Sequence, residues 1–526
     1  MRILLSTLLC TVLLSASLIQ EPAGFAQDFS FARPLKPSKA EVKRYLRAFR
    51  KDPVHAMSTR LVKRDQQGNP VDVEPRFAAE DIATGAYVQA RDEMRTRICG
   101  EVDGQRRCPN ESGALSEIWG NDRPEELVGR SDIIRTLPEL EKAGLLAAQL
   151  DRTPWSGDYW PVFQGMLGAR YGDPQFPKSH NWYVNRSYIW NRPASALFNS
   201  GVQAWVNMLS PSEKYDALIG DWNGTLTAQN WAAGQGLYES YGRVEHWVGI
   251  CDGWSAAASL LPRPAKAVRL VAADGRTPMT FFPADIKGLA SLLWAKGRFN
   301  LRFVGGRCND MKPAVDRNGR VISQNCFDTN PGTWHLAITN QIGVEKRSFI
   351  LDATYDYEVW NQPAYAYAYS YWNPQTAQPV VRYEDAVLPR SKFTKDPFRS
   401  YRSSQTSYIV GIAMSVTYMV ETPPTTRTVD DALLDRARTV LYIYDLELDW
   451  AGRIIGGEWY TKNHPDFVWA IPPGGRAFSN FDSYATGAWS PPSILPWSWQ
   501  NAGVQAAYSV QPLGKIVEAL FKKSNE

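Results

Sequence analysis

Histidine and cysteine are scarce in this chain: its 526 residues carry five histidines and six cysteines. Few imidazoles leave few partners for a nucleophile. Basic residues are nowhere clustered, with 58 Lys and Arg against 54 Asp and Glu and a formal charge of +4. That excludes a dedicated nucleic-acid surface, which needs concentrated positive charge. Beyond the first twenty residues no apolar run is long enough to cross a bilayer, which takes about 20 helical residues. No internal repeat or low-complexity tract interrupts the chain. A hydrophobic fraction of 44% with 21% charged residues reads as globular, and the length exceeds one core of ordinary size.

What is present begins with a leader. MRILLSTLLCTVLLSASLIQEPAGFAQ holds one Arg, an apolar run from Ile3 to Ile19, and small residues at Gly24 and Ala26 before Gln27. This is the layout of a cleaved secretory signal over residues 1–26, and it predicts export to the periplasm or outside the cell, with no membrane association after cleavage. Removing it also removes Cys10 and leaves an odd set: Cys99, Cys108, Cys251, Cys308 and Cys326. Cys99 with Cys108, and Cys308 with Cys326, can each close a short local loop in a compartment where disulfides persist. Cys251 is left over.

Residues 27–150 read as a helical N-terminal region, with patterns such as KAEVKRYLRAF and ELEKAGLLAAQL. Residues 151–400 read as a mixed core. It opens on stretches dense in Trp, Tyr and Asn and continues in strand-like runs: VRLVAA, NLRFVGG, TWHLAITNQI and RSFILDAT. Residues 401–526 read as a β-rich C-terminal module built on YIVGIAMSVTYMV and TVLYIYDLELDWAGRIIGGEWY. The class is α+β. Twenty tryptophans are a heavy load, consistent with a large core and with a surface that stacks on sugars.

The stretch GICDGWSAAASLL at 249–261 predicts a helix starting just after Gly249, with Cys251 in its first turn. Unpaired N–H groups at such an end favour a thiolate and can hold an oxyanion. A thiolate needs a base. His246 lies in the run leading into Cys251 and is not naturally aimed at the sulfur, so His335 is the better candidate. With Gly343 and Val344 as a two-residue type II′ turn, TWHLAITNQIGVEKRSFILDAT folds as a hairpin that sets His335 opposite Asp352. Facing side chains there have Cβ atoms about 4.5–5.5 Å apart, close enough for a carboxylate to hold an imidazole. The expected catalytic set is Cys251, His335 and Asp352, with Asp356 as a fallback orienter.

Six stretches resemble the transglutaminase elicitor family: PWSGDYWP at 154–161, LSPSEKYDALIGDW at 209–222, GICDGWSAAA at 249–258, TWHLAITNQIG at 333–343, FILDATYDYEVWNQP at 349–363 and IGGEWYTKNHPDFVW at 455–469. VWNQP at 359–363 resembles the core of the family's plant-defence peptide, while AYAYAYSYW after Pro363 departs from the rest of it. The resemblance implies a transglutaminase-like, papain-related core with Cys251 as nucleophile, His335 as base and Asp352 as orienter. It also implies isopeptide formation between the glutamines and lysines of protein substrates. The triad requires no cofactor. Calcium is implied by the resemblance alone, since no EF-hand spacing supports it. Trp222, Trp231, Trp247 and Trp254 are candidate walls of a channel for an alkyl ammonium. Two other functions stay open: a secreted cysteine protease, amidase or deamidase with the same triad, and a non-catalytic Trp-rich binder of cell wall or carbohydrate.

Overall fold

The computed structural model describes residues 35–59, 61–71, 100–102, 105–107, 122–306, 313–323, 326, 329–354, 358–461 and 464–526. The leader, Cys10, Cys99, Cys108, Cys308 and Asp356 lie outside them, and with these cysteines both loop-closing pairs. The architecture is α+β, with helices on an antiparallel sheet. Three 13-residue strands, Asn361–Asn373, Tyr408–Val420 and Arg436–Leu448, form its spine. They are long because β-branched and aromatic residues run through them almost without interruption, and nearly every position is buried on both faces. On one side, Ile350–Asp352, Phe467–Ala470 and Arg302–Gly305 continue the sheet; on the other, Lys63–Arg64 and Pro70–Val71 close it.

The module boundary at residue 400 is corrected by this pairing. Tyr408–Val420 runs antiparallel to Asn361–Asn373, from Ala364 opposite Tyr418 to Trp372 opposite Gly411, so the C-terminal strands extend the core sheet. Hydrogen-bonded ladders between strands fully buried on both faces leave no surface at which two modules could part. The C-terminal end itself is helical, at Trp497–Tyr508 and Gly514–Ser524. The N-terminal region is likewise joined to the sheet: its helix Lys39–Lys51 forms as read, but Ala147–Gln149, expected to be helical, pairs with Asn361–Asn373.

Alternation along the short strands divides the interior into two layers. Ile350, Phe303, Phe467 and Trp469 point to one face, where the helices Cys251–Leu260 and Pro283–Lys296 pack. Leu351, Val304, Val468 and Ala470 point to the other, which is covered by the helix Pro331–Ile338. The two helices of the first layer touch almost backbone to backbone. A Cβ added at Gly253 would lie 2.0 Å from the Ser291 carbonyl oxygen. Pro283–Lys296 is anchored by polar groups that satisfy one another: the Asp285 carboxylate takes the Phe282 N–H at 2.7 Å, the Tyr171 hydroxyl at 2.7 Å and the buried Lys214 ammonium at 2.7 Å.

Candidate active site

Cys251 is the first residue of its ten-residue helix, it is free, and none of it reaches the surface. Ile250 precedes it without a side-chain cap, so the N–H groups of the first turn surround the sulfur's end of the helix. The helix start agrees with the sequence reading because Ala256, Ala257 and Ala258 carry high helical propensity after the Gly249 break.

Two backbone and side-chain partners define the sulfur's surroundings. Its thiol lies 3.7 Å from the Val359 carbonyl oxygen, to which it donates, and Asn361 donates its side-chain N–H to the sulfur at 3.5 Å. The Asn361 amide cannot turn over, because its oxygen accepts the Trp469 indole N–H at 2.8 Å. Neither residue was foreseen. Both lie in quoted stretches, VWNQP and HPDFVW, but nothing in one sequence shows that two strands will bring them to the helix start.

Asp352 reaches the same neighbourhood through the sheet. Its Cα pairs with that of Asn361, so the two side chains project from one face. The carboxylate accepts the Trp360 N–H at 3.0 Å, and the Thr354 N–H and hydroxyl at 3.2 and 2.9 Å.

His335 is placed elsewhere, and the hairpin that was to deliver it is corrected. Residues 331–344 are helical, because the Asn330 side chain caps the Gly332 N–H at 2.8 Å and Pro331 sits at the first helical position. The helix widens into a π turn over Thr339–Val344, so Gly343 and Val344 make no hairpin turn. His335 Nδ1 shares a 2.8 Å hydrogen bond with the Tyr444 hydroxyl rather than with Asp352, and its ring meets the edge of Tyr369. Its neighbours Trp334 and Leu336 pack in the Leu351 and Val468 layer, whereas Ile250 and Trp254, on either side of Cys251, pack in the Ile350 and Trp469 layer. The sheet therefore separates the two. His246 rests against the rings of Phe163 and His180, at 5.3 and 4.2 Å between centroids.

Burial governs the protonation of both groups. It pushes the Cys251 thiol up to about 12, helped by the charges of Asp252 and Glu421 and opposed by the Asn361 hydrogen bond. It pushes His335 down to about 3. At neutral pH the structure thus holds a protonated thiol and a neutral imidazole. A third group is shifted nearby: burial and the charge of Glu421 raise the Asp158 carboxyl to about 7.

Of the four tryptophans read as channel walls, Trp231, Trp247 and Trp254 are fully buried core and Trp222 is exposed. For calcium, no group of three or more His, Cys, Asp or Glu side chains among the described residues is arranged to hold a metal ion.

Comparison with known proteins agrees with the motif reading. The Transglutaminase elicitor family model matches residues 130–479, a span that contains all six of the stretches quoted above. Among solved structures, the chain is similar to the GP42 transglutaminase from Phytophthora sojae at 21% identity, over 66% of this chain and 88% of that one, with a TM-score of 0.44. No match was found among curated proteins. With the family model covering well over half of its length, the chain belongs to the transglutaminase elicitor family.

Proposed function

We propose that this protein is an exported thiol acyltransferase of the transglutaminase type, built on a papain-related core. The observation that carries the reading is the free Cys251 at a helix start, with the Asn361 amide locked by Trp469 so that it donates to the sulfur. In the reaction, sulfur bonds to the carboxamide carbon of a protein glutamine and the C–N bond breaks. The thiol proton leaves with the departing ammonia. A primary amine, such as a lysine, then bonds to the thioester carbon as the C–S bond breaks, giving an isopeptide, and a proton from the amine returns to the sulfur. Asn361 and the N–H groups of the helix's first turn are suited to hold charge on sulfur and on the oxyanion. Asp352, beside Asn361, orients that wall through Trp360 and Thr354. Water in place of the amine turns the same thioester into deamidation.

A second reading, a non-catalytic family member, is favoured by the placement of His335 across the sheet from a thiol that keeps its proton. Incorporation of a fluorescent primary amine into a glutamine-rich acceptor separates the readings, run with calcium and with chelator. Amine incorporation lost in Cys251→Ala supports acyl transfer. Ammonia release without incorporation supports the hydrolase, and inactivity of the wild type under all conditions supports the non-catalytic protein. His335→Ala tests the sheet's separation directly, since a residue across it leaves the chemistry intact if the fold survives.

A further inference from the structure

A cavity of about 250 Å³ opens between the start of the Pro283–Lys296 helix and the loop that follows Val420. Asp158, Trp160, Lys287, Pro424, Arg427 and Arg436 line it. It adjoins the thiol's helix: Gly157 packs on the Trp254 indole, which donates to the Trp155 carbonyl, and the Gly157 carbonyl takes the Thr422 N–H at 2.8 Å. The carbonyl of Tyr159, the residue after Asp158, accepts the N–H of Ile250, the residue before Cys251, at 2.7 Å, so the backbone joins the cavity wall to the thiol's helix start.

The charges in the cavity fall into two groups. Lys287 is spent internally, on Asp430 at 2.5 Å and the Ser156 carbonyl at 2.7 Å. Asp158 has no basic partner among the described residues. Its carboxylate accepts the Trp160 N–H at 2.7 Å. Arg427 and Arg436, exposed at the rim, have no acidic partner among the described residues. One wall therefore wants a cation and the rim wants an anion. The volume is below the roughly 300–1,000 Å³ of a pocket for a whole small molecule, and suits one or two side chains of a peptide.

We propose that this cavity is the acceptor subsite, taking a lysine ammonium against Asp158 while an acidic residue beside that lysine is held by Arg427 and Arg436. The proposal rests on the acyl-transfer reading and adds a sequence preference to it: lysines in acidic surroundings are favoured. Apolar contact along the lysine stem comes from Trp160 and Pro424. Docking a cation at Asp158 also draws its carboxyl, raised to about 7 by burial, into the ionised form.

The test uses the full-length chain with Cys251→Ala, which binds without turnover. The probes are three capped pentapeptides, titrated calorimetrically: a central lysine flanked by glutamates, the same peptide with norleucine for lysine, and the same with glutamines for the glutamates. Norleucine is expected to weaken binding about tenfold, and glutamine about fivefold, the scale of a partly screened ion pair. Adding Asp158→Asn, which keeps an acceptor for Trp160, erases the preference for lysine over norleucine. Arg427→Glu with Arg436→Glu, both at exposed positions, shifts preference to lysine flanked by arginines, with unchanged urea unfolding as the check on the fold. Equal binding of the three peptides, or an unchanged preference after the charge reversal, overturns the proposal. Failure of the acyl-transfer reading shows separately, as no amine incorporation by the wild-type protein.

Discussion

Replacing Asn361 with alanine removes two hydrogen bonds from a side chain with no surface exposure. The larger loss is on the Trp469 side. Its indole N–H, now bonded at 2.8 Å, is left buried without an acceptor, which costs about 1–3 kcal/mol. The bond to sulfur at 3.5 Å is weaker and adds a fraction of that. With the void left by the amide, about 2–3 kcal/mol of stability is lost, read as the shift in urea unfolding followed by tryptophan fluorescence. Asn361→Asp is the control. An aspartate keeps the acceptor for Trp469 but, when ionised, offers the sulfur no donor. A buried carboxyl there has its folded pKa raised above the unfolded value of about 3.9, so stability is present below that value and falls as pH rises through the folded pKa. Thus Asn361→Asp loses stability relative to Asn361→Ala as pH rises above about 4, while the alanine deficit stays flat. An alanine variant within about 0.5 kcal/mol of wild type, with unchanged amine incorporation, refutes the assignment of Asn361 to the thiol's wall.

Other consequences can be measured on the same protein. Gly253→Ala forces a Cβ to within 2.0 Å of the Ser291 oxygen, and the two helices must separate; a loss of at least about 1–3 kcal/mol is expected in thermal unfolding, together with loss of amine incorporation. Arg402 is enclosed by Asp445, with two contacts of 2.6 Å, and by Asp396 at 3.0 Å, so Arg402→Met strands buried carboxylates and lowers stability by about 3–5 kcal/mol in urea titration. The Cys251 thiol keeps its proton to about 12 when folded, against 9.0 for an unperturbed thiol. Its stabilising contribution is fully present below pH 9 and lost as pH rises through 12. The stability difference between wild type and Cys251→Ala should therefore decline by about 1.4 kcal/mol per pH unit across that window.

The long strands and the helix that begins at Cys251 were legible because each is announced locally. YIVGIAMSVTYMV can hardly be anything but a buried strand, and a glycine, a cysteine and an alanine run mark a helix start. Val268–Val271, Arg302–Gly305 and Ile350–Asp352 likewise fall in the runs read as strands. TWHLAITNQI misled because Thr and Ile favour strands on average, while the deciding signal, Asn330 followed by Pro331, stands just outside the apolar run. That one misreading moved His335 to the wrong face. Asn361 and Trp469 escaped for a different reason: Asn361 meets the thiol, and Trp469 meets Asn361, across more than a hundred residues of sequence, and long-range register leaves no trace in local pattern. The boundary at residue 400 failed on the same ground.

The seal around Cys251 ties two events together. On the acyl-transfer reading, a carboxamide reaches this sulfur, which has no exposed surface, only after its contacts with Val359 and Asn361 give way. Yet the loss of water is also what keeps the proton on that sulfur. Whatever movement lets a partner in lets solvent in with it, and lowers the energy of the anion in the same stroke. On that reading, admission of a partner and ionisation of the thiol are coupled through the same burial.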